Sequence, residues 1–417
     1  KKHDPSFPVN AIKYCLQDAE IEMQDLDQVV FYEDPELKFK RLIKTYIDFF
    51  PKSLNLIFNS LPGWLLWKRK WRKNLQRHFL EAELPLNKIQ LSNNEHHRSH
   101  AASAFFCSPY HKSSILVMDG VGEFATTSFW KGEGNTLKKI DEVSFPHSLG
   151  LMYSTVTSYL GFKVNSGEYK VMGLAPYGQP KYADIIKENL IFLDKHRFKL
   201  NQDFFTYAFS GKMFNQKFCD LFDQPARTPE SSLTQFHMDI AASLQLVTEE
   251  TILKLSPELI EQTKCKNLCL AGGVALNCVA NGRILREKNL DGLWIQPASG
   301  DAGGAIGAAL NLYYDVQGNE RHANEEDDIM RGSYLGPRSS EQEILSMVHE
   351  YGANTFKLNT SDLIDKVVNL LADGKIIGWH QGRSEFGPRA LGNRSILGDA
   401  RNEQMQKIMN LKIKYRE

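Results

Sequence analysis

Residues Asn267–Leu285, NLCLAGGVALNCVANGRIL, and Leu293–Tyr314, LWIQPASGDAGGAIGAALNLYY, carry the same order twice. A short apolar run is followed by a glycine turn, then by a stretch with helical spacing. Two successive strand–glycine–helix units define an α/β domain with its binding loops at the carboxyl ends of the strands. Upstream, Asp239–Ile260 reads as a long helix. SSILVMDG (Ser113–Gly120) reads as a buried strand ending in a turn, and TTSFWKG (Thr126–Gly132) as its hairpin partner. LGLMYSTVTSYLGF (Leu149–Phe162) reads as helix, and residues 181–230 as a helical insertion. QGNERHANEEDD (Gln317–Asp328) reads as an exposed loop. SDLIDKVVNLLADGKIIGWHQGR (Ser361–Arg383) gives helix, glycine stop, strand and loop, the start of a second α/β unit.

The 417 residues suffice for roughly two or three domains. Fifty basic and fifty acidic side chains give zero net charge, which argues against nucleic acid as the main partner. Six cysteines without a CxxC pair point to free thiols in a reducing, cytoplasmic compartment. No apolar run approaches the ~18 to 20 residues needed to span a bilayer, and neither a signal peptide nor a membrane partner is expected. The chain opens on KKHDP without Met and stops at KYRE within a pattern, as a fragment would. Residues 1–90 read as mostly helical and irregular. Within them, Trp64, Trp67 and Trp71 of LPGWLLWKRKWRKNLQRHF (Leu61–Phe79) share one helix face. Packing of that face on the body is favoured over a membrane-surface or partner-binding helix.

NEHHRSHAASAF (Asn94–Phe105) holds the sharpest chemistry. His96 and His100 are four residues apart, so on a helix they share a face and can converge on one ion, while His97 points elsewhere. The bland alternative is a helix of capping or solvated histidines. A further ligand would be an acid at a strand end. Asp119, in DGVGE, and Asp301, in SGDAGG, are the candidates, although the first could start a turn and the second could cap a helix. Three glycine loops could present backbone amides to phosphate: Gly120 and Gly122, then Gly272 and Gly273 with Asn277, then Gly303. Absence of GxxxxGK[ST] excludes a P-loop protein. GRSEFGPRALGNRS (Gly382–Ser395) gathers Arg383, Arg389, Asn393, Arg394 and Ser395, a donor set suited to phosphate or another anion.

Seven stretches together, HHRSHAASAFFCSP, VMDGVGE, FPHSLGLMYSTVTSYLGF, GEYKVMGLAPYG, LAGGVALNCVANGRI, SGDAGGAIGAAL and GRSEFGPRALGNRS, resemble one family in order and spacing. It is that of the ATP-dependent O-carbamoyltransferases acting on nodulation factors, cephamycins and tobramycin. The resemblance implies an actin/Hsp70-type (ASKHA) two-lobed α/β domain like the tRNA threonylcarbamoyl transferase over 1–330, with helical insertions at about 40–80 and 180–235. The beginning of a YrdC-like α/β domain would fill 331–417. Family members carry a strand with a phosphate-loop hairpin before the KKHD-like segment, and more YrdC-like sequence after KYRE.

It also implies the roles. His96, His100, Asp119 and Asp301 would be metal ligands and catalytic residues, the metal being Fe(II). Gly120, Gly122, Lys170, Gly272, Gly273, Asn277 and Gly303 would bind ATP, with Mg(II) as a further ion. Arg383, Arg389, Asn393, Arg394 and Ser395 would bind carbamoyl phosphate. Carbamoyl phosphate and ATP would give carbamoyl adenylate, and a small-molecule hydroxyl would accept the carbamoyl group in a pocket shaped by residues 40–80 and 180–235. Three rivals remain open: tRNA threonylcarbamoyl transfer, carbamoylation of a protein thiol in hydrogenase maturation, and a nucleotide-binding regulator without catalysis. Acceptor identity and a homo-oligomeric state are not legible.

Overall fold

The computed structural model describes residues 6–66, 70–194 and 197–413. The chain divides into two compact units, Lys1–Ile329 and Met330–Glu417. The first opens with α1 (Val9–Asp18), β1 (Gln28–Phe31), α2 (Pro35–Asp48), α3 (Leu54–Leu66), α4 (Trp71–Glu81), β2 (Gln90–Asn93) and α5 (His96–Phe105). Strands β3 (Lys112–Met118), β4 (Ala125–Glu133) and β5 (Thr136–Ser144) follow, then α6 (Leu149–Tyr159), α7 (Glu168–Leu174) and α8 (Ala183–Asn189). Next come β6 (Ile191–Asp194), β7 (Arg197–Leu200), α9 (Gln216–Asp220) and α10 (Gln235–Thr263). The unit finishes with β8 (Asn267–Ala271), α11 (Cys278–Glu287), β9 (Gly292–Ile295) and α12 (Asp301–Leu310).

Strands β5-β4-β3-β8-β9 form a mixed sheet in that order. β3 to β5 run antiparallel as a meander, while β8 joins β3 and β9 joins β8 in parallel. Side chains alternate across the sheet. Leu116 and Met118 of β3 thus join Leu268 and Leu270 of β8 in one core with Met152 and Val156 of α6 and Leu244 and Val247 of α10. Helix α5 packs on β3 and β8 and is crossed by α12. That crossing is tight: a Cβ at Gly307 would lie 1.9 Å from the Ser99 carbonyl oxygen. The small-residue run after Asp301 therefore brings α12 into backbone contact with the histidine helix.

The repeated strand–glycine–helix reading matches β8–α11 and β9–α12, and the mixed α/β class holds. Three local expectations change. Residues 181–230 are not all helical: β6 and β7 form an antiparallel pair. Phe198 and Leu200 are buried on alternate positions of β7, a period of two that a helix cannot use. β5 adds a third meander strand, and β1 and β2 pair in parallel in a sheet of their own. Gln317–Asp328 is irregular as expected but is anchored, because buried Arg321 donates to the carbonyls of Phe105, Ser108 and Tyr110.

Of the tryptophans, Trp64 on α3 is buried near Phe39 and Trp71 on α4 stacks on Phe31, so they pack as expected but from two helices rather than one shared face. Trp67 lies outside the described residues, as do the terminal KKHDP and KYRE. No described helix is long and apolar enough to cross a membrane. All six cysteines are free, Cys15 and Cys278 exposed and the others buried.

The second unit contains α13 (Glu341–Glu350), α14 (Thr360–Ala372), β10 (Ile377–His380), β11 (Arg394–Leu397) and α15 (Met405–Lys412). Gly374, at φ +75°, ends α14 as the glycine stop predicts. β10 and β11 pair antiparallel, with Trp379 opposite Ser395.

Candidate metal centre

The first turn of α5 has no side-chain cap of its own. A distant acid replaces it. The Glu123 carboxylate accepts the His96 backbone N–H at 2.9 and 3.1 Å and the Asp34 N–H at 2.6 Å. One buried carboxylate thus fixes the starts of both α2 and α5, where the helix dipole favours negative charge. From that anchored turn His96 and His100 project together, and their Nε2 atoms lie 3.1 Å apart. Asp119, just past the end of β3, brings Oδ2 to 3.1 Å from His96 Nε2 and 3.9 Å from His100 Nε2. Asp301 opens α12 without capping it, and its Oδ1 lies 3.6 and 3.7 Å from the same nitrogens.

These four side chains bring one ligand atom each within 4.8 Å of one another. The set is poor in donors: two carboxylate oxygens face two ring nitrogens, and only imidazole N–H groups can bridge them, as in the His96 Nε2–Asp119 Oδ2 contact. The Nδ1 atoms of His96 and His100 are buried without a hydrogen-bond partner. A cation relieves this arrangement. Ligands about 2.1 Å from one ion lie about 3.0 to 3.4 Å apart in octahedral or tetrahedral shells; the two 3.1 Å separations match this, and those of 3.6 to 3.9 Å are a few tenths of an ångström wider. The residues therefore fit a divalent ion with mixed imidazole and carboxylate donors. The histidines are buried, whereas the Asp301 side chain is 62% exposed and marks the open side.

Electrostatics reinforce the geometry. Burial would raise the Asp119 carboxyl, but the His96 hydrogen bond and the charges of His100, His96 and His97 reverse that and hold it well below the usual carboxylate range. Burial lowers His96, yet Asp119, Asp301 and Glu123 outweigh it and raise the imidazole. His97 behaves oppositely: burial first, then the His96 charge, pushes it far down. Its Nδ1 lies 2.7 Å from Ser128 Oγ, which also accepts Trp130 Nε1–H at 2.7 Å. His97 thus faces the sheet, away from the cluster, as its spacing predicts.

The glycine loops make defined contacts within the chain. Gly273 N–H donates to Asp119 Oδ1 at 3.0 Å, and Gly272 N–H to the Ser299 carbonyl at 2.8 Å. Gly122 N–H donates to the Ala125 carbonyl. Gly303 N–H donates to the Gly300 carbonyl, and a Cβ there would meet the Ala298 oxygen at 2.2 Å. These glycines aim the acids: at φ +87° Gly272 lets the Met118 carbonyl approach where a Cβ would stand 2.1 Å away. A Cβ on Gly122 would stand 2.9 to 3.1 Å from the rings of His97 and His96. Gly120 follows Asp119, and its carbonyl accepts Ser148 Oγ–H. Asn277 caps α11 through Ala280 N–H and exchanges hydrogen bonds with Gln245. Lys170, on α7, places Nζ 5.4 Å from the Phe162 ring centroid.

In the second unit the arginine loop closes on an acid. Buried Glu385 accepts Leu391 N–H, Asn393 N–H and Arg394 Nε–H at 2.7 to 2.8 Å. Against the upward push of burial, Arg394 and the two amides hold its carboxyl down at about 2. Arg383 donates to the carbonyls of Leu335 and Gly336, and the Asn393 amide to that of Arg383. Ser395 sits in β11 beside them, and Arg389 is also engaged within the structure.

Four residues near these sites carried no individual sequence signal: Glu123, Glu385, Tyr32 and Arg41. The Tyr32 ring lies 5.6 Å from that of His96, and burial followed by Glu33, Asp301 and Asp119 raises its phenol far above the ordinary value. Arg41, on α2, has a buried Nε without a hydrogen-bond partner. Its guanidinium lies 5.2 Å from the Phe145 ring centroid and faces the charges of Glu123 and Glu33. Phe145 N–H bonds the carbonyl of Phe124, next to Glu123, so Arg41 stands at the edge of the same cluster. A run of acids around a shared anchor, within DGVGE, was the available clue.

A buried pair of imidazoles with two convergent acids beside an α/β sheet makes a candidate metal centre. The family model for the carbamoyltransferase N-terminus matches residues 1–310, and that for the carbamoyltransferase C-terminus matches 368–417. The chain belongs to the carbamoyltransferase family. It is 52% identical over its whole length to an uncharacterized protein, sll1178, of Synechocystis, spanning 68% of that protein. Nodulation protein NolNO of Sinorhizobium fredii is 33% identical across 100% of the chain, which spans 57% of it. Nodulation protein NolO of Bradyrhizobium diazoefficiens is 36% identical across 77% of the chain, which covers 56% of that relative. Among solved structures, HypF of T. kodakarensis aligns with 58% of the chain and 39% of its own length at 15% identity and a TM-score of 0.30.

Proposed function

We propose that the complete protein is an ATP-dependent O-carbamoyltransferase of the cytoplasm that takes carbamoyl phosphate as donor and the hydroxyl of a small natural product or sugar as acceptor. Convergence of His96, His100, Asp119 and Asp301 within a carbamoyltransferase chain is the observation that carries this reading. The actin/Hsp70-type fold is part of it, supported by a three-strand meander extended by two parallel crossover strands. So is assignment of residues 331–417 to the start of a YrdC-like domain, where carbamoyl phosphate, water and ATP would give carbamoyl adenylate, phosphate and pyrophosphate.

His96, His100, Asp119 and Asp301 would hold a divalent ion, Fe(II) by family resemblance, with magnesium accompanying ATP. Such an ion supplies Lewis-acid polarisation of a carbonyl or phosphate oxygen. The remaining work belongs to the chain. Gly273 and Glu123 keep Asp119 and the histidine helix in register, so little reorganisation accompanies transfer. Arg41 offers its guanidinium to a phosphate oxygen of the adenylate, and Tyr32, held protonated, offers an O–H to developing negative charge. The acceptor oxygen attacks the carbamoyl carbon, the bond to the adenylate phosphate oxygen breaks, and AMP leaves. The acceptor proton goes to a carboxylate or imidazole of the cluster. In the second unit, the loop folded around Glu385 presents Arg389 and Arg394 toward carbamoyl phosphate.

The test is carbamoyl-phosphate-dependent exchange of pyrophosphate into ATP by the full-length protein supplied with iron. Exchange without any acceptor is expected. No exchange, either with carbamoyl phosphate or with threonine and bicarbonate, would overturn the adenylate route.

A further inference from the structure

The two acids of the cluster are held differently. Asp119 Oδ1 accepts Gly273 N–H at 3.0 Å, so its own loop system fixes that carboxylate. Asp301 caps nothing and is largely exposed, so its place depends on where α12 lies. The α5–α12 crossing settles only part of that. Gly303, Gly304, Gly307 and Ala308 are the buried residues of α12, and Gly307 sits directly over Ser99 and Ser103 of α5. Small residues let two backbones approach but supply no ridges to interlock, so helix spacing is fixed and axial register is not. Register is fixed beyond the crossing. There α12 passes into a π-helical turn, Asn311–Val316, closed by Gln317 N–H on the Leu312 carbonyl at 2.9 Å. Such single turns are rare and are frequent at functional sites.

Arg98, midway between His96 and His100 on α5, reaches this turn. Its Nε–H donates to Asn311 Oδ1 at 3.0 Å, and an Nη2–H donates to Asp315 Oδ2. Asp315 Oδ1 accepts Leu137 N–H of β5 at 3.3 Å, and the guanidinium lies 5.8 Å from the Trp130 ring centroid. The buried Asn311 amide donates to Asn94 Oδ1 at 3.3 Å, and the Asn94 amide to Ser99 Oγ at 3.1 Å, back at the crossing. With the four-residue cluster read as a divalent-ion site, we propose that Arg98, Asn311 and Asp315 form a clamp that sets α12 on α5 and so positions Asp301 against His96 and His100. A guanidinium suits the task, because its planar fork engages two acceptors in fixed directions. The clamp joins the two helices that carry three of the four ligands, whereas Gly273 serves the fourth.

The experiment titrates the metal-free full-length protein with Co(II), followed by visible absorption, and melts each variant in parallel. Arg98→Met keeps an apolar stem near Trp130 and removes both contacts to the π-helical turn. It should raise the Co(II) dissociation constant about 10- to 100-fold, the usual cost of losing an outer-shell partner. Asp315→Asn, a gentler change, should raise it by less. In an Asp301→Ala background, Arg98→Met should change the constant by no more than about twofold, since residues acting through one contact are not additive. An unchanged constant in Arg98→Met overturns the clamp whatever happens to the melting temperature; Asp315→Asn decides in its place if Arg98→Met does not fold. An equal loss with and without Asp301 also overturns it. A wild-type protein that binds no Co(II) would instead remove the metal reading itself, and the clamp with it.

Discussion

The histidine cluster and the arginine loop are both dense in polar groups, and they resolve that density in opposite ways. In the Gly382–Ser395 loop the donors meet an internal acceptor: Glu385 takes two backbone amides and Arg394, while Arg383 holds two carbonyls. At the end of β3 and the start of α12 two acids meet two imidazoles, and only imidazole N–H groups can serve as donors among them. The first arrangement is nearly complete from the chain alone. The second leaves four ligand atoms converging on one point, as a cation site would. Density of one residue type in a sequence therefore says little until its complement is located.

The largest effect should come from splitting the histidines of α5. His96→Ala and His100→Ala are expected to lose bound metal and lower carbamoyl transfer by about 10²-fold or more, beyond what outer-shell partners of a metal contribute. His97→Ala should keep the metal and lose about 1–3 kcal/mol of stability, the usual effect of breaking a buried hydrogen bond. Elemental analysis and thermal unfolding of the three variants separate the cases, and full metal occupancy in the first two refutes the ligand assignment.

Arg41 extends the contrast to a half-buried cation whose Nε has no hydrogen-bond partner. Arg41→Met should reduce kcat/KM by about 10²-fold while changing stability little, because the Arg41 Nε makes no hydrogen bond that the substitution would break. A stability loss above about 2 kcal/mol with normal kinetics would instead make Arg41 a structural counterpart of Glu33 and Glu123.

Glu385 gives the smallest effect, confined to stability. Glu385→Gln should destabilise the protein by about 1–3 kcal/mol at neutral pH. The wild-type carboxyl is depressed from 4.5 to about 2, so its contribution is full above pH 4.5 and is lost as pH falls toward 2. Melting curves across that range should show the wild type converging on the variant. Parallel curves would mean that the charge of Glu385 contributes nothing.

Legibility followed the range of the interactions. His96 and His100 could be paired from their spacing because a helix fixes that geometry within one turn. The strands, the glycine turns and the α14 stop were readable for the same reason. Residues 181–230 misled because β6 and β7 are short and their alternation spans only four residues each. The glycine loops also make a contact that spacing could not show, since Gly273 N–H reaches Asp119 from 154 positions away.

The sequence by itself determined the mixed α/β class, the shared face of His96 and His100, the acids at two strand ends and the family resemblance. Each rests on local periodicity or on motifs within a few residues. Only the tertiary structure decided that Asp119 and Asp301, 182 positions apart in numbering, face the same two nitrogens. It also decided that Glu123 anchors the histidine helix, that Glu385 organises the arginine loop, and that α3 turns phenylalanine outward. Those outcomes depend on how the sheet and the α5–α12 crossing bring remote segments together, and no local pattern encodes that.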